Sequence, residues 1–116
     1  MKNIMRAFSK KIDSEKKEIW IQQSIKLIYD LALPCKVILI GSALGEDFDT
    51  HSDLDFVVLF ASAEKLKLGQ SILYRNTSSF PTLVDFICVT EDYFEIKSKI
   101  GGVLQIAAEE GRCFTI

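Results

Sequence analysis

The fold is decided by residues 36–60, KVILIGSALGEDFDTHSDLDFVVLF. The run at 36–40 is short and rich in β-branched residues, which predicts a buried strand that ends at Gly41 and Ser42. A polar loop follows, and the apolar run at 53–60 predicts a second strand. Two neighbouring buried strands joined by a polar, glycine-containing loop indicate the centre of a small sheet.

Helical patterns surround this centre on both sides and predict an α/β fold, with a small mixed sheet flanked by helices. Before this centre, the sequence predicts a helix that begins at Ser14, its N-cap, and is stopped by Pro34. After it, the sequence predicts a helix capped by Ser62 and ending near Tyr74, and then a third strand over 82–89. A helix capped by Thr90 and a last helix over 103–110 follow. In domain terms this is one unit over 1–116, with a helical segment over about 1–33, a core over about 35–90 and C-terminal helices over about 91–112.

Composition favours one soluble globular domain. The chain has 116 residues, of which 48% are hydrophobic and 26% charged. The net charge of −2 argues against a general nucleic-acid-binding role, which needs clustered Lys and Arg. The three cysteines do not form a CxxC pair, which is typical of reduced thiols in a cytoplasmic protein. Since no apolar stretch approaches about 20 residues, no membrane span is predicted.

Charge is distributed unevenly along the chain. Residues 1–17 contain six basic and two acidic residues, whereas residues 41–55 contain five acidic residues and neither Lys nor Arg. In the basic segment, the spacing of Ile4, Met5, Phe8 and Ile12 predicts one face of a short helix, for which a docked or frayed state is favoured over a membrane role. The acidic segment indicates a place where water or a cation relieves repulsion.

Two acidic residues of that segment predict a cation site. Asp53 and Asp55 share one side of a strand, about 7 Å apart along the chain. Two such carboxylates repel each other unless positive charge lies between them. Because the donors are all oxygens, Mg²⁺ or Mn²⁺ is favoured over zinc. The other interpretation is that both are solvated charges at the start of a strand.

Gly41 and Ser42 predict a phosphate site next to the cation site. Glycine lets the backbone approach a phosphate closely, and N–H groups of the following helical turn bind phosphate oxygens. The Ser42 hydroxyl adds one more donor. A site that binds a phosphate and a divalent cation together fits a metal-bound nucleoside triphosphate.

A third carboxylate, Asp85, lies inside the apolar run 83–87. If the third strand neighbours the second, Asp85 faces Asp53 and Asp55. Three carboxylates around one or two metals suit in-line nucleotidyl transfer, in which one carboxylate also accepts the proton of the attacking group. The alternative is a structural acid paired with Lys or Arg, since an unpaired charge is costly to bury.

The arrangement within residues 35–90 resembles the DNA polymerase beta-like nucleotidyltransferase superfamily. The matching features are Gly41-Ser42, a gap of ten residues, Asp53-Leu54-Asp55 followed by apolar residues, and Asp85 on a later strand. The short chain resembles the minimal nucleotidyltransferase branch, a bare catalytic domain often paired with a small helical HEPN protein. Several members of that branch act as antitoxins that attach AMP to the HEPN toxin.

The resemblance implies a cytoplasmic enzyme that depends on Mg²⁺ or Mn²⁺ and transfers AMP from ATP to a hydroxyl group of a HEPN-type toxin. Gly41 and Ser42 would hold the nucleotide. Asp53, Asp55 and Asp85 would ligate the metals, and Asp85 would also be the general base. A single domain leaves the acceptor site to a partner or to a second copy of the chain.

The sequence departs from the family at residues 43–46, Ala-Leu-Gly-Glu, where many members carry a basic residue. This departure favours an alternative of another class: a catalytically silent module that neutralises a partner by contact. A second alternative is a nucleotidyltransferase for a small molecule such as an aminoglycoside, although such enzymes usually have a second domain.

Overall fold

Four helices and four strands lie within residues 10–115, the part of the chain that the computed structural model describes. In chain order the elements are α1 (Ser14–Ala32), β1 (Lys36–Ile40), β2 (Leu54–Phe60), α2 (Ala63–Arg75), β3 (Val84–Thr90), α3 (Glu91–Lys97), α4 (Val103–Glu110) and β4 (Arg112–Phe114), with single 3₁₀ turns at Gly41–Leu44 and Thr77–Ser79. The predicted α/β class is confirmed.

The four strands form one mixed sheet in the order β3-β2-β1-β4. β1 is antiparallel to both β2 and β4, and β2 is parallel to β3. The parallel pair needs a crossover connection, which α2 supplies. In this topology the carboxyl end of β1 and the amino ends of β2 and β3 lie at the same end of the sheet.

Alternate residues of the strands face two separate apolar layers. One layer contains the inward side chains of α1 and α2 together with Leu39, Phe56 and Phe86. The other contains Ile40 and Val57 with side chains of α3 and α4. β1 and β2 are therefore buried on both faces, which is why their sequences are almost uninterrupted apolar runs.

Helix starts follow the predicted caps with one shift. The side chains of Ser62 and Thr90 accept hydrogen bonds from the backbone at the starts of α2 and α3, as predicted. In α1 the cap is Asp13 rather than Ser14, because the Asp13 carboxylate accepts a 2.8 Å bond from the Lys16 N–H. Asp and Ser are comparable N-caps, so the sequence alone does not choose between adjacent candidates.

The predicted helical segment over about 1–33 is wrong for residues 10–13. Lys11 forms an isolated bridge with Asp49, the Ile12 N–H donates to the Phe48 carbonyl, and the Thr50 N–H donates to the Lys10 carbonyl. This short antiparallel contact pairs residues 10–12 with the loop at 48–50, so Ile12 does not join the predicted basic helix. The rest of that helix, expected around Ile4, Met5 and Phe8, lies outside the described residues.

The end of the chain also differs from the prediction of C-terminal helices over about 91–112. α4 ends at Glu110, and Arg112–Phe114 forms β4 against β1. Tertiary contacts hold this strand: the Tyr29 hydroxyl donates to the Phe114 carbonyl at 2.7 Å, and Arg112 forms two hydrogen bonds with Glu18. Three residues are too few to show a strand period in the sequence.

Large apolar side chains lie exposed on α3, on α4 and between them: Tyr93, Ile96, Ile100, Val103 and Ile106 are 43–69% exposed. They lie on the side of the sheet that α3 and α4 cover. Among residues 10–115, no helix has both the length and the apolar character needed to cross a bilayer.

Candidate functional site at the end of the sheet

The three predicted carboxylates lie at the end of the sheet where β1 ends and β2 and β3 begin. Asp55 pairs across the sheet with Ile40 on one side and with Asp85 on the other. Residues paired in this way project to the same face, here the face that α3 and α4 partly cover. Asp53 lies just before β2, two residues from Asp55.

The charges of Asp53 and Asp85 act on the carboxyl group of Asp55. The pKa of Asp55 is raised above its usual value of 3.8, first by burial of its carboxyl group and then by the charges of Asp53 and Asp85. Asp55 is half-buried, whereas Asp53 and Asp85 are exposed. The site therefore disfavours a further negative charge and would be stabilised by a bound cation.

Gly41 is required at this position for two physical reasons. Its φ of +78° lies in the left-handed region, where a side chain is strained. A Cβ atom on residue 41 would also lie 2.6 Å from Asp55 Oδ2, closer than non-bonded atoms approach. The Gly41 backbone therefore passes directly over the Asp55 carboxylate, and a side chain at residue 41 would be strained and would push that carboxylate aside.

Ser42 follows in the 3₁₀ turn, with its side chain exposed. The Gly45 N–H closes the turn by donating to the Ser42 carbonyl at 3.1 Å. The structure thus brings the predicted phosphate-binding residues Gly41 and Ser42 next to the predicted metal ligands. The long polar loop between them folds back because β1 and β2 are antiparallel neighbours.

Asp85 has a local structural contact as well. Its Oδ1 accepts a 3.0 Å hydrogen bond from the Phe86 N–H, and the Tyr74 hydroxyl donates a 2.7 Å bond to the Phe86 carbonyl. β3 is an edge strand within residues 10–115, so these side chains satisfy backbone groups on its outer edge. One oxygen of the Asp85 carboxylate is therefore engaged with its own strand.

The donors fit Mg²⁺ or Mn²⁺ in their chemistry, because all are carboxylate oxygens. Within residues 10–115, however, no group of three or more His, Cys, Asp or Glu residues has an arrangement that could hold a metal ion. One oxygen of Asp85 accepts the Phe86 N–H instead.

Not every acid of the 41–55 segment belongs to the site. Asp49 is buried, and its Oδ1 accepts hydrogen bonds from the His51 N–H at 2.9 Å and from the Ser52 hydroxyl at 3.2 Å. Together with the bridge to Lys11, these bonds fix the loop before β2. The side chain of His51 is exposed, as expected for a loop residue.

One basic residue near the site was not predicted from the sequence. The Lys17 ammonium, on the first turns of α1, donates a 2.7 Å hydrogen bond to the Gly45 carbonyl. Lys17 therefore lies beside the turn that begins with Gly41 and Ser42. No spacing rule indicates this contact, because 28 residues separate the two groups and only the packing of α1 on the sheet brings them together.

An open pocket of about 720 Å³ lies at the start of β3, lined by Tyr74 and by residues of the 77–84 segment. Its lining includes hydroxyl groups of Thr and Ser together with apolar side chains. Asp85 is not part of the lining but follows it directly in the chain. Phe80 and Val84 of the lining belong to the layer under α1 and α2, so the pocket opens on the other side of the sheet from Asp55 and Asp85.

Comparison with known proteins adds no family to these observations. None of the protein-family models, curated proteins or solved structures compared with the chain matches it.

Proposed function

We propose that this protein is a metal-dependent nucleotidyltransferase with a polymerase beta-like fold, which transfers AMP from ATP to a hydroxyl group. The observation that carries the proposal is the position of Gly41 over the Asp55 carboxylate, with Asp85 as the cross-strand neighbour of Asp55. This places a backbone turn suited to phosphates next to carboxylates suited to a cation.

In this proposal Gly41 and Ser42 hold the triphosphate, and Asp53, Asp55 and Asp85 hold Mg²⁺ or Mn²⁺. A bound metal would neutralise the negative charge that gathers on the phosphates. The acceptor oxygen forms a bond to the α-phosphorus, and the bond from that phosphorus to the bridging oxygen breaks, so that pyrophosphate leaves. The hydroxyl proton passes to the carboxylate oxygen of Asp85 that does not bind the Phe86 N–H.

The proposed acceptor is a hydroxyl group on a HEPN-type toxin, and the protein would act as its cytoplasmic antitoxin. One observation supports a protein partner. The exposed apolar side chains on α3 and α4 lie on the same side of the sheet as Asp55. Exposed apolar groups of this kind are typical of surfaces that bind another protein.

Ligand-dependent thermal unfolding tests the site. A ligand of the native state stabilises it by RT ln(1 + [L]/Kd), so millimolar Mg²⁺ should raise the Tm, and MgATP should raise it further. The double substitution Asp53→Asn with Asp55→Asn should abolish both shifts. Asp30→Asn is the matched control, because Asp30 forms its salt bridge with Lys26 on the far side of α1. Wild-type protein whose Tm responds to neither ligand would contradict the proposal.

Asp85→Asn separates chemistry from binding. The Asn side chain keeps an oxygen that accepts the Phe86 N–H, so the edge of β3 is preserved. We expect MgATP binding to persist, severalfold weaker, while transfer to the acceptor falls by about 10²–10⁴-fold. Calorimetry measures the binding, and the mass increase of the co-purified acceptor measures the transfer. Transfer at the wild-type rate would show that Asp85 is only a structural acid.

The alternative of a silent binding module is favoured by one observation, the contact of Asp85 with its own backbone. Such a module would bind its partner without transferring a nucleotide and would show no MgATP-dependent change in Tm. The same two experiments therefore decide between the two functions. A small-molecule acceptor would instead give transfer to an aminoglycoside and none to a protein.

A further inference from the structure

We infer that Lys17 supplies the positive charge for the triphosphate, in place of a basic residue after Gly41 and Ser42. The inference rests on the proposed function and names a residue for its nucleotide site. The 41–55 segment contains five acidic residues and neither Lys nor Arg. The only formal charges that this segment brings to a triphosphate bound at the turn are therefore negative.

The position of the Lys17 ammonium meets this need. It lies 2.7 Å from the Gly45 carbonyl, and the Gly45 N–H in turn lies 3.1 Å from the Ser42 carbonyl. With standard backbone dimensions for residue 45, the ammonium is at most about 10 Å from the Ser42 carbonyl oxygen. A lysine is a point charge on a flexible four-carbon stem, so it can shift toward a phosphate at the turn while α1 stays in place.

The contact of Lys17 has no obvious role in stabilising α1. Cations are favourable at the carboxyl end of a helix, whereas Lys17 lies in its first turns. Within residues 10–115 Lys17 forms no salt bridge, and its one hydrogen bond through the ammonium goes to an exposed carbonyl. An ammonium has three donors, so two remain for oxygens of a phosphate.

The neighbouring Lys16 provides a matched control. Its ammonium lies over the ring of Trp20, 5.0 Å from the centroid, whereas the Gly45 carbonyl accepts its hydrogen bond from Lys17. Lys16→Gln and Lys17→Gln remove the same charge from adjacent positions of the same helix. A long-range effect of charge would therefore be similar in both variants, whereas a direct contact with phosphate would be lost only in the second.

The experiment measures the binding of MgATP and of magnesium tripolyphosphate by calorimetry at low salt. Lys17→Gln should weaken both ligands roughly tenfold or more, because a charge-assisted hydrogen bond is lost. Lys16→Gln should stay within about twofold of the wild type, and Lys17→Arg should restore most of the affinity. The Tm without ligand should be unchanged in Lys17→Gln, which excludes a loss of folding.

The outcomes distinguish this inference from the proposed function. If the wild type binds both ligands and Lys17→Gln binds them equally well, the role of Lys17 is wrong and the nucleotide site stands. Equal weakening by Lys16→Gln and Lys17→Gln would also overturn it, since that result indicates only the general field of the helix. If the wild type binds neither ligand, both the inference and the proposed function are wrong.

Discussion

The same two strands carry a favourable pair on one face of the sheet and an unfavourable pair on the other. Phe56 and Phe86 are cross-strand neighbours in the layer under α1 and α2, with ring centroids 6.4 Å apart and planes inclined by 22°. One residue earlier on each strand, Asp55 and Asp85 are neighbours on the opposite face, and their negative charges repel each other.

The two pairs differ in their effect on the stability of the fold. Stacked rings add to stability beyond the apolar area that they bury. Their contribution to folding is therefore enough to explain the aromatic pair. Adjacent carboxylates destabilise a sheet, so the acidic pair needs another explanation. The proposed cation site would supply it, since residues that lower stability persist where activity requires them. Substitutions on the two faces should therefore change stability in opposite directions.

The largest effect is expected on the aromatic face. Phe56 is fully buried, and Phe56→Ala removes its ring from contact with Phe86 and leaves a cavity. The free energy of unfolding should fall by about 3–5 kcal/mol. Denaturant unfolding measures it, with Phe56→Leu as a control that retains part of the volume and should cost less. A loss under about 1 kcal/mol would mean that the aromatic pair does not support the fold.

A smaller loss is expected where the turn approaches the acidic face. Gly41→Ala adds a Cβ at a φ of +78° and against Asp55 Oδ2. The free energy of unfolding should fall by about 1–3 kcal/mol. Asp55→Ala in the same chain removes the carboxylate, so the double variant should recover the part due to the clash and retain the part due to φ. If the changes in unfolding free energy of Gly41→Ala and Asp55→Ala simply add in the double variant, the close approach of Gly41 to Asp55 is contradicted.

The smallest effect should be a gain in stability on the acidic face. Asp55→Asn keeps the shape of the side chain and removes a charge that burial, Asp53 and Asp85 all disfavour. In metal-free buffer near pH 7, the Tm should rise by about 2–4 °C, as expected for a partly screened contact. Thermal unfolding measures this shift. A lower Tm for Asp55→Asn at pH 7 would contradict the unfavourable pair.

The gain should depend on pH in a defined direction. A carboxyl group with a raised pKa in the folded state carries no penalty below its unfolded value of 3.8, and the penalty develops as the pH rises through the folded value. The advantage of Asp55→Asn should therefore disappear below about pH 3.8.

Glu18 is a control for this pH dependence, because its pKa is lowered whereas that of Asp55 is raised. Hydrogen bonds from Arg112, and then from Gln22, lower the pKa of Glu18 from 4.5 to about 2. Its contribution to stability is present above pH 4.5 and is lost as the pH falls toward 2. Glu18→Gln should therefore lower the Tm slightly at pH 7 and converge with the wild type in acid. The same pH trend in both variants would show that local pairing does not explain the shifts.

Much of the fold could be predicted from local patterns. β1 was predicted with the bounds Lys36–Ile40, α4 with 103–110, and the caps Ser62 and Thr90 were correct. Strand starts were less accurate: β2 begins at Leu54 rather than 53 and β3 at Val84 rather than 82. Apolar periodicity indicates which residues are buried, whereas the first hydrogen bond of a strand depends on the neighbouring chain.

Local sequence patterns were enough to predict the chemical groups of the candidate site. These are a glycine and a serine after one buried strand, and acidic residues at the start of the next two. These features are local, because alternation along a strand and the conformational freedom of glycine need no tertiary information. The tertiary structure decided which groups meet. Strand order places Asp55 beside Asp85, and α1 packing brings Lys17 to Gly45. It also adds β4 beside β1. Such contacts join residues far apart in the chain, and only the packing of the whole core selects them.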